Sequence, residues 1–327
     1  MSFEGLLPQP PYPWLAPVWQ GFVARVEQQR LPHAMLLVGQ SGLGGGDLAL
    51  AMAQYLLCTA PTPLASCGKC RSCLLLKAES HPDLLWVKPE EGAQSIKVSQ
   101  IRDLTEFTSN TAQQGGRKLI LISPADAMNI SAANALLKNL EEPSGDCVYL
   151  LVTERPAFLL ATIRSRCSRV QIPLPGTDQA LAWLERNKVA NARSLLDAAG
   201  GRPLRVMEWL ENDLWGQRQQ LEQELQKLLR GESFLESAKT LLGFGPVWVI
   251  EQLQVWLSDA VRVAYGESRG AGGLIERLAQ AGARRLLGFY ELLLRKKALL
   301  LSSANPNPQM LLDEIMMEMQ DLYRKKD

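Results

Sequence analysis

Ala34-Met35-Leu36-Leu37-Val38-Gly39-Gln40-Ser41-Gly42-Leu43-Gly44-Gly45-Gly46-Asp47 runs from an apolar segment into a glycine-rich loop, and the apolar stretch 48–57 follows. A short buried strand, a loop of free N–H groups and a helix together form the context of the phosphate-binding loop G-x-x-x-x-G-K-[ST]. Gly39 and Gly44 stand at its two glycine positions. The next two positions call for a lysine that reaches the β- and γ-phosphates and a hydroxyl that holds Mg²⁺. This chain has Gly45 and Gly46 there. Backbone N–H groups at a helix N-terminus still attract an anion, but the charge-neutralising groups of phosphoryl transfer are gone. The loop is either a strand–helix turn that never held a nucleotide or a phosphate loop that has lost its chemistry.

A second nucleotide signature fails in the same direction. Residues 118–122, Lys-Leu-Ile-Leu-Ile, form a run of the kind that makes a parallel strand covered on both faces. In a P-loop ATPase this strand ends in Asp-Glu, the carboxylates for Mg²⁺ and water; here Ser123 and Pro124 follow it. Asp126 is either a substitute carboxylate or the cap of the next helix. Loss of the lysine, the hydroxyl and both acids together argues against hydrolysis, and no ATP bound in cis is expected.

The sharpest local signal lies downstream of the glycine loop. Cys58, Cys67, Cys70 and Cys73 are spaced C-x8-C-x2-C-x2-C, and C-x2-C turns present two sulfurs at the separation that tetrahedral zinc requires. Gly68 and Ser72 suit tight turns between the ligands. Four thiolates with no open position make a structural site; an iron–sulfur cluster is the other chemistry available to them, and nothing else in the chain suggests electron transfer. Lys69 and Arg71 are either phosphate contacts or solvated charges.

The chain has 327 residues, 46% of them apolar, and a formal net charge of +1. That length allows two or three domains, and the charge supplies no whole-molecule field for nucleic acid. Six cysteines in a chain of this size are not a secreted disulfide framework. The N-terminus lacks a basic n-region and a long apolar core, and no segment holds the ~18 uninterrupted apolar residues of a membrane span. A cytoplasmic protein without membrane contact is expected.

The remaining pattern alternates strands and helices. An extended proline-rich arm over 8–17 precedes a helix over 18–29, and His33 at the strand entrance reads as a packing or capping residue. Apolar runs at 84–87 and 148–152 add strands. Ser99 is placed to cap a helix carrying Ile101, Leu104 and Phe107. Residues 129–143 form an amphipathic helix with Ala133, Leu136, Leu137 and Leu140 at i, i+3, i+4 and i+7, stopped by Pro143. A short helix at 157–163 leads to Arg164-Ser165-Arg166-Cys167, and a strand at 169–172 closes a doubly wound parallel sheet. Short helices follow at 178–187, 190–199 and 204–210, then helical runs at 215–229, 234–242, 247–265, 274–300 and 308–323.

His33-Ala34-Met35-Leu36-Leu37, the four-cysteine insertion, Ala132-Ala133-Asn134-Ala135-Leu136-Leu137-Lys138 with Glu141-Glu142-Pro143, and Ser165-Arg166-Cys167 together resemble the AAA+ clamp-loader family. The resemblance covers roughly the first two thirds of the chain and extends by helical character to the end. It implies an AAA+ domain with a four-cysteine zinc module over 1–172, a helical lid over 173–211 and an all-helical oligomerisation collar over 212–327. In this family the arginine of Ser-Arg-Cys enters the ATP site of the neighbouring subunit, so the resemblance implies Arg166 as an arginine finger in trans; the other reading is a salt bridge at the end of a strand, the role expected of Arg164 and Arg169 nearby. The family's second nucleotide-sensing arginine is matched by Leu204, with Arg202 and Arg205 flanking it. The implied protein is a non-motor subunit of a DNA polymerase III clamp loader. Its partners would be the motor (gamma/tau) and delta subunits of a hetero-pentamer, and through the complex the sliding clamp and primed DNA. An active ATPase using Asp126 and a zinc-dependent nucleic-acid module are the alternatives.

Overall fold

Strands apolar on every residue must lie inside a sheet that is covered on both faces, and the central strands here meet that demand. In a computed structural model that describes residues 10–62, 64–114, 116–143, 145–266, 273–300 and 306–323, the chain divides into two units, Met1–Glu208 and Trp209–Asp327. The first unit holds β1 (Ala34–Val38), β2 (Leu84–Val87), β3 (Lys118–Ile122), β4 (Cys147–Thr153) and β5 (Ser168–Gln171). They form one parallel sheet in the order β2-β3-β4-β1-β5.

Side chains of a strand alternate between faces, and the core divides accordingly. Met35, Leu37, Leu119, Leu121, Val148, Leu150 and Val152 face one layer. That layer is built on α1 (Ala16–Glu27), α2 (Gly45–Leu57) and α3 (Arg71–Lys77). Leu36, Val38, Ile120, Ile122, Tyr149 and Leu151 face the other, which is built on α4 (Val98–Ser109), α5 (Ile130–Glu141) and α6 (Ala161–Arg166). The sheet is therefore doubly wound. Lys118, the one charge in the apolar run of β3, stays buried because its ammonium bonds the Phe107 carbonyl and lies 4.2 Å from that ring's centre.

Several local expectations are corrected. The proline arm does not stay extended to Pro17: a 3-10 turn spans Pro13–Leu15, and α1 starts at Ala16 with Pro17 in its first turn, where a missing N–H costs nothing. Ser99 does not cap α4. Lys97 holds the cap position, and its N–H is accepted by Gln100 Oε1 at 3.0 Å, the reaching-back half of a capping box. The helix expected at 157–163 is a 3-10 turn over Pro156–Phe158 followed by α6, which includes Arg166.

Three short helices follow the sheet, α7 (Thr177–Arg186), α8 (Ala192–Ala198) and α9 (Pro203–Glu211). The second unit is helical: α10 (Leu214–Leu229), α11 (Phe234–Leu242), α12 (Pro246–Ala264), α13 (Leu274–Ala279), α14 (Ala283–Leu300) and α15 (Pro308–Asp321). The single run expected at 274–300 is two helices broken at Gly282. Leu221, Leu225 and Leu228 of α10 pack with Leu253, Trp256 and Leu257 of α12 and with Leu312, Ile315 and Met319 of α15 in one core. Arg218 is buried among them between the rings of Trp209 and Trp256, and its Nη1 donates to Gln252 Oε1 at 2.6 Å. Among the described residues no helix is long and apolar enough to cross a membrane.

One buried carboxylate ties the entrance of β2 to the turn before β3. Asp83 Oδ1 and Oδ2 accept the N–H groups of Gln113 and Gln114 at 2.7 and 2.8 Å, and its carbonyl accepts from Leu119 at 2.9 Å. A hydrogen bond to a charged group contributes about 1.5–3 kcal/mol. Asp83→Ala is therefore expected to lower stability by about 3 kcal/mol or more, read as a lower urea midpoint with an unchanged slope.

Candidate functional site

The glycine loop leaves the C-terminal end of β1 and feeds α2, whose first residue is Gly45. Gly39 is required by close approach: a Cβ there would fall 2.6 Å from the Cβ of Ile172. At Gly44 the backbone is left-handed, with φ of +82°, and a Cβ would meet the Tyr12 ring at 2.4 Å, so no other residue fits without strain.

The space above the loop is filled by the chain itself. Tyr12 stacks on Trp14 at 5.0 Å, and both rings stand edge-on to Trp183 of α7 at 5.8 and 5.4 Å. Trp14 Nε1 donates to the Leu43 carbonyl at 2.9 Å, and the Leu204 N–H donates to the Gly42 carbonyl at 3.2 Å. Gly45 and Gly46 offer no side chain, while Asp47 brings a carboxylate into the first turn of α2. Helix N-termini favour negative charge; here the chain supplies its own, fixed by the Tyr12 hydroxyl, which donates to Asp47 Oδ2 at 2.7 Å.

Around this loop the nucleotide-type positions are turned to other uses. Ser123 follows β3 with its N–H donating to the Val87 carbonyl at 3.1 Å. Asp126 does not cap the next helix, which corrects that expectation. Its buried carboxylate accepts from Thr153 Oγ1 at 2.7 Å and, through Oδ2, from Arg155 Nε and Nη2 at 2.7 Å each. Asn129 caps α5 instead, accepting the Ala132 N–H at 2.8 Å. Leu204 packs against the core. Arg202 is pushed down to about 10, first by burial and then by the adjoining Arg205 cation, and its Nε donates to the Ala199 carbonyl at 2.7 Å.

The four cysteines converge as their spacing implied. Their sulfurs lie within 4.8 Å of one another, with Cys58–Cys70 at 3.9 Å and Cys67–Cys73 at 4.0 Å. A tetrahedron with metal–sulfur bonds of about 2.3 Å has edges of about 3.8 Å, so the set can hold one metal ion. Backbone N–H groups already point at the sulfurs: Cys67 N to Cys58 Sγ at 3.2 Å, Cys70 N to Cys67 Sγ at 3.3 Å, and Cys73 N to Cys70 Sγ at 3.5 Å. Burial raises the Cys70 thiol, but bonds from Thr59 and the Cys73 N–H outweigh it and bring the thiol down to about 6. The thiolate is the metal-binding form.

Ser72 is not in a turn between ligands. It lies in α3, fully buried, and takes a hydrogen bond from His81 Nε2 at 3.1 Å. The Asp83 N–H donates to His81 Nδ1 at 3.0 Å, which places the ring proton on Nε2. Burial lowers the His81 pKa. Sequence reasoning missed this bracket behind the cysteines; the signal was a His-Pro-Asp segment eight residues past Cys73. The other two cysteines, Cys147 and Cys167, lie in the core, and burial pushes Cys167 up to about 11.

Arg166 ends α6 at the surface. Its Nη2 is ion-paired with Glu141 Oε1 at the end of α5, and its Nη1 donates to the Thr162 carbonyl at 3.0 Å. Arg166, and neither Arg164 nor Arg169, is thus the salt-bridged arginine of the three among the described residues. Arg169 Nη2 instead donates to Gln171 Oε1 at 3.0 Å. His33 Nε2 lies 3.0 Å from the Leu140 carbonyl, a packing role.

Known proteins resemble this chain along most of its length. The family described as "DNA polymerase III, delta subunit" matches residues 15–175, and "DNA polymerase III, delta subunit, C terminal" matches residues 212–321. DNA polymerase III subunit delta′ of Pseudomonas aeruginosa is 36% identical over 319 residues, covering 94% of this chain and 96% of the relative. The Yersinia pestis protein of the same name is 34% identical, covering 93% of each. The Escherichia coli K12 protein is 37% identical, covering 65% of each.

Proposed function

This chain belongs to the family of DNA polymerase III delta′ subunits, and on that premise we propose that it is a non-motor clamp-loader subunit. It works inside a polymerase III complex that places a sliding clamp on primed DNA. It neither binds nor hydrolyses ATP, and it lends Arg166 to the nucleotide site of a neighbouring motor (gamma/tau) subunit. The observation that carries this reading is the filled seat above the glycine loop. Where a nucleotide would lie, Tyr12 and Asp47 bond each other under the Trp14 and Trp183 rings. A triphosphate would have to displace the rings and meet a carboxylate of its own sign.

Arg166 supports the second half of the reading. It is surface-placed, and a guanidinium offers a planar fork of donors suited to phosphate oxygens. The four-cysteine cluster is proposed to hold a structural zinc, since four cysteine sulfurs leave no position for a substrate. The zinc would fix the 58–73 excursion, where few apolar side chains are available to do so. Domains are proposed as an AAA+ core over 1–172, a lid over 173–211 and a collar over 212–327. Leu287 and Leu294, two turns apart on α14 and about half exposed, suit a collar face that meets the delta and motor subunits.

Three outcomes test the proposal. Isothermal titration of the isolated chain should detect no ATP binding. The double substitution Gly45→Lys/Gly46→Thr should leave that unchanged, whereas adding Tyr12→Ala and Asp47→Ala should admit nucleotide; tight binding and turnover by the unaltered chain would make it a motor. Arg166→Ala should fold normally, because an exposed ion pair contributes at most about 1 kcal/mol. In the reconstituted complex it should abolish the DNA-stimulated turnover of the site it serves, a loss on the order of 10³ or more there. Cys70→Ser should lose the metal and lower the melting temperature, followed by zinc stoichiometry and calorimetry; a metal-free variant of full stability contradicts a structural zinc.

A further inference from the structure

Two helix ends meet beside Arg166. Glu141 is the last residue of α5 and Arg166 the last of α6, and both terminal nitrogens of the guanidinium are engaged within the chain. Nη2 pairs with the Glu141 carboxylate, and Nη1 reaches back one turn to the Thr162 carbonyl. The side chain is folded along its own subunit instead of extended from it.

We propose that Glu141 is a holding partner for Arg166. In the chain alone it keeps the guanidinium retracted, and it gives the guanidinium up when a nucleoside triphosphate occupies the neighbouring subunit. This rests on Arg166 acting in trans, as proposed above. The pair is open to such an exchange because its side chains are 34% and 47% exposed. A buried pair would resist opening, because each charge would be stranded; an exposed pair is weak and screened by salt. A triphosphate offers the same guanidinium more negative charge and several acceptor oxygens. Glu141 is also selective. Among the described residues Arg164 and Arg169 make no ion pair, and neither does the adjacent Glu142. Glu141 thus sets a threshold: the arginine leaves its holder only where a highly charged anion awaits it.

Hydrolysis by the full reconstituted complex, measured against ATP concentration with primed DNA, tests the role. Glu141→Gln keeps the side chain's shape and removes its charge. It should lower the half-saturating ATP by about two- to fivefold with the maximal rate unchanged, the factor an exposed pair is worth. The shift should shrink as salt is raised, be absent in Glu142→Gln and vanish when Arg166→Ala is added. If Arg166→Ala abolishes turnover while Glu141→Gln matches the unaltered complex, the holding role is overturned and the arginine's role stands. A Glu141→Gln complex with a reduced maximal rate also overturns it, since Glu141 would then orient the arginine instead of restraining it. If Arg166→Ala changes nothing, both fall.

Discussion

β1 is paired on both sides and buried on both faces, and the rest of the first unit is placed by that constraint. A strand so enclosed cannot shift register without moving its apolar side chains to the wrong layer. Its end therefore has one position, between β4 and β5. Gly39 lies against Ile172 just past β5, so the glycine loop is pinned to the strand that follows α6. The loop and the segment that carries Arg166 are consequently tied to the same edge of the sheet.

The two places differ in electrostatics. At the loop the Asp47 carboxylate is bonded by Tyr12, whose ring packs with those of Trp14 and Trp183. At the end of α6 the chain keeps a cation near the surface, in an exposed ion pair with Glu141. Inward-facing negative charge and outward-facing positive charge are the pairing that the proposed function requires: a carboxylate against nucleotide in the chain's own loop, and a guanidinium available to a neighbour's. The cysteine module is a third, independent element. It rests on sulfur geometry and on the buried Ser72–His81–Asp83 chain of hydrogen bonds, which runs from α3 to the start of β2.

Strands and most helices were legible because burial on two faces leaves an unmistakable apolar run, as in Leu119 to Ile122 and Val148 to Val152. The cysteine tetrad was legible for a similar reason, since metal geometry writes itself into short spacings. Helix starts were not: Ser99 has the chemistry of a cap, yet Gln100, reaching back to Lys97, determined where α4 begins. The occupants of the glycine loop were hidden because they arrive from afar. Tyr12 lies 35 residues before Asp47, and Trp183 comes from a helix beyond the sheet. The helix-cap reading of Asp126 and the choice of Arg164 and Arg169 as the salt-bridged arginines failed for the same cause. The partners of Asp126 and Arg166, which are Arg155 and Glu141, are distant in sequence, and charge alone does not say which of several arginines a carboxylate will choose.

The Tyr12–Asp47 bond also bears on how such a chain can evolve. A motor ancestor that lost one essential group could recover it by a single reversion. Here a chain that gained the loop lysine would still carry an aromatic lid and an anionic plug. Several changes would have to accumulate before selection could reward any of them. On the proposed function the loss is therefore entrenched, because lid and plug would have to be removed as the missing lysine is restored.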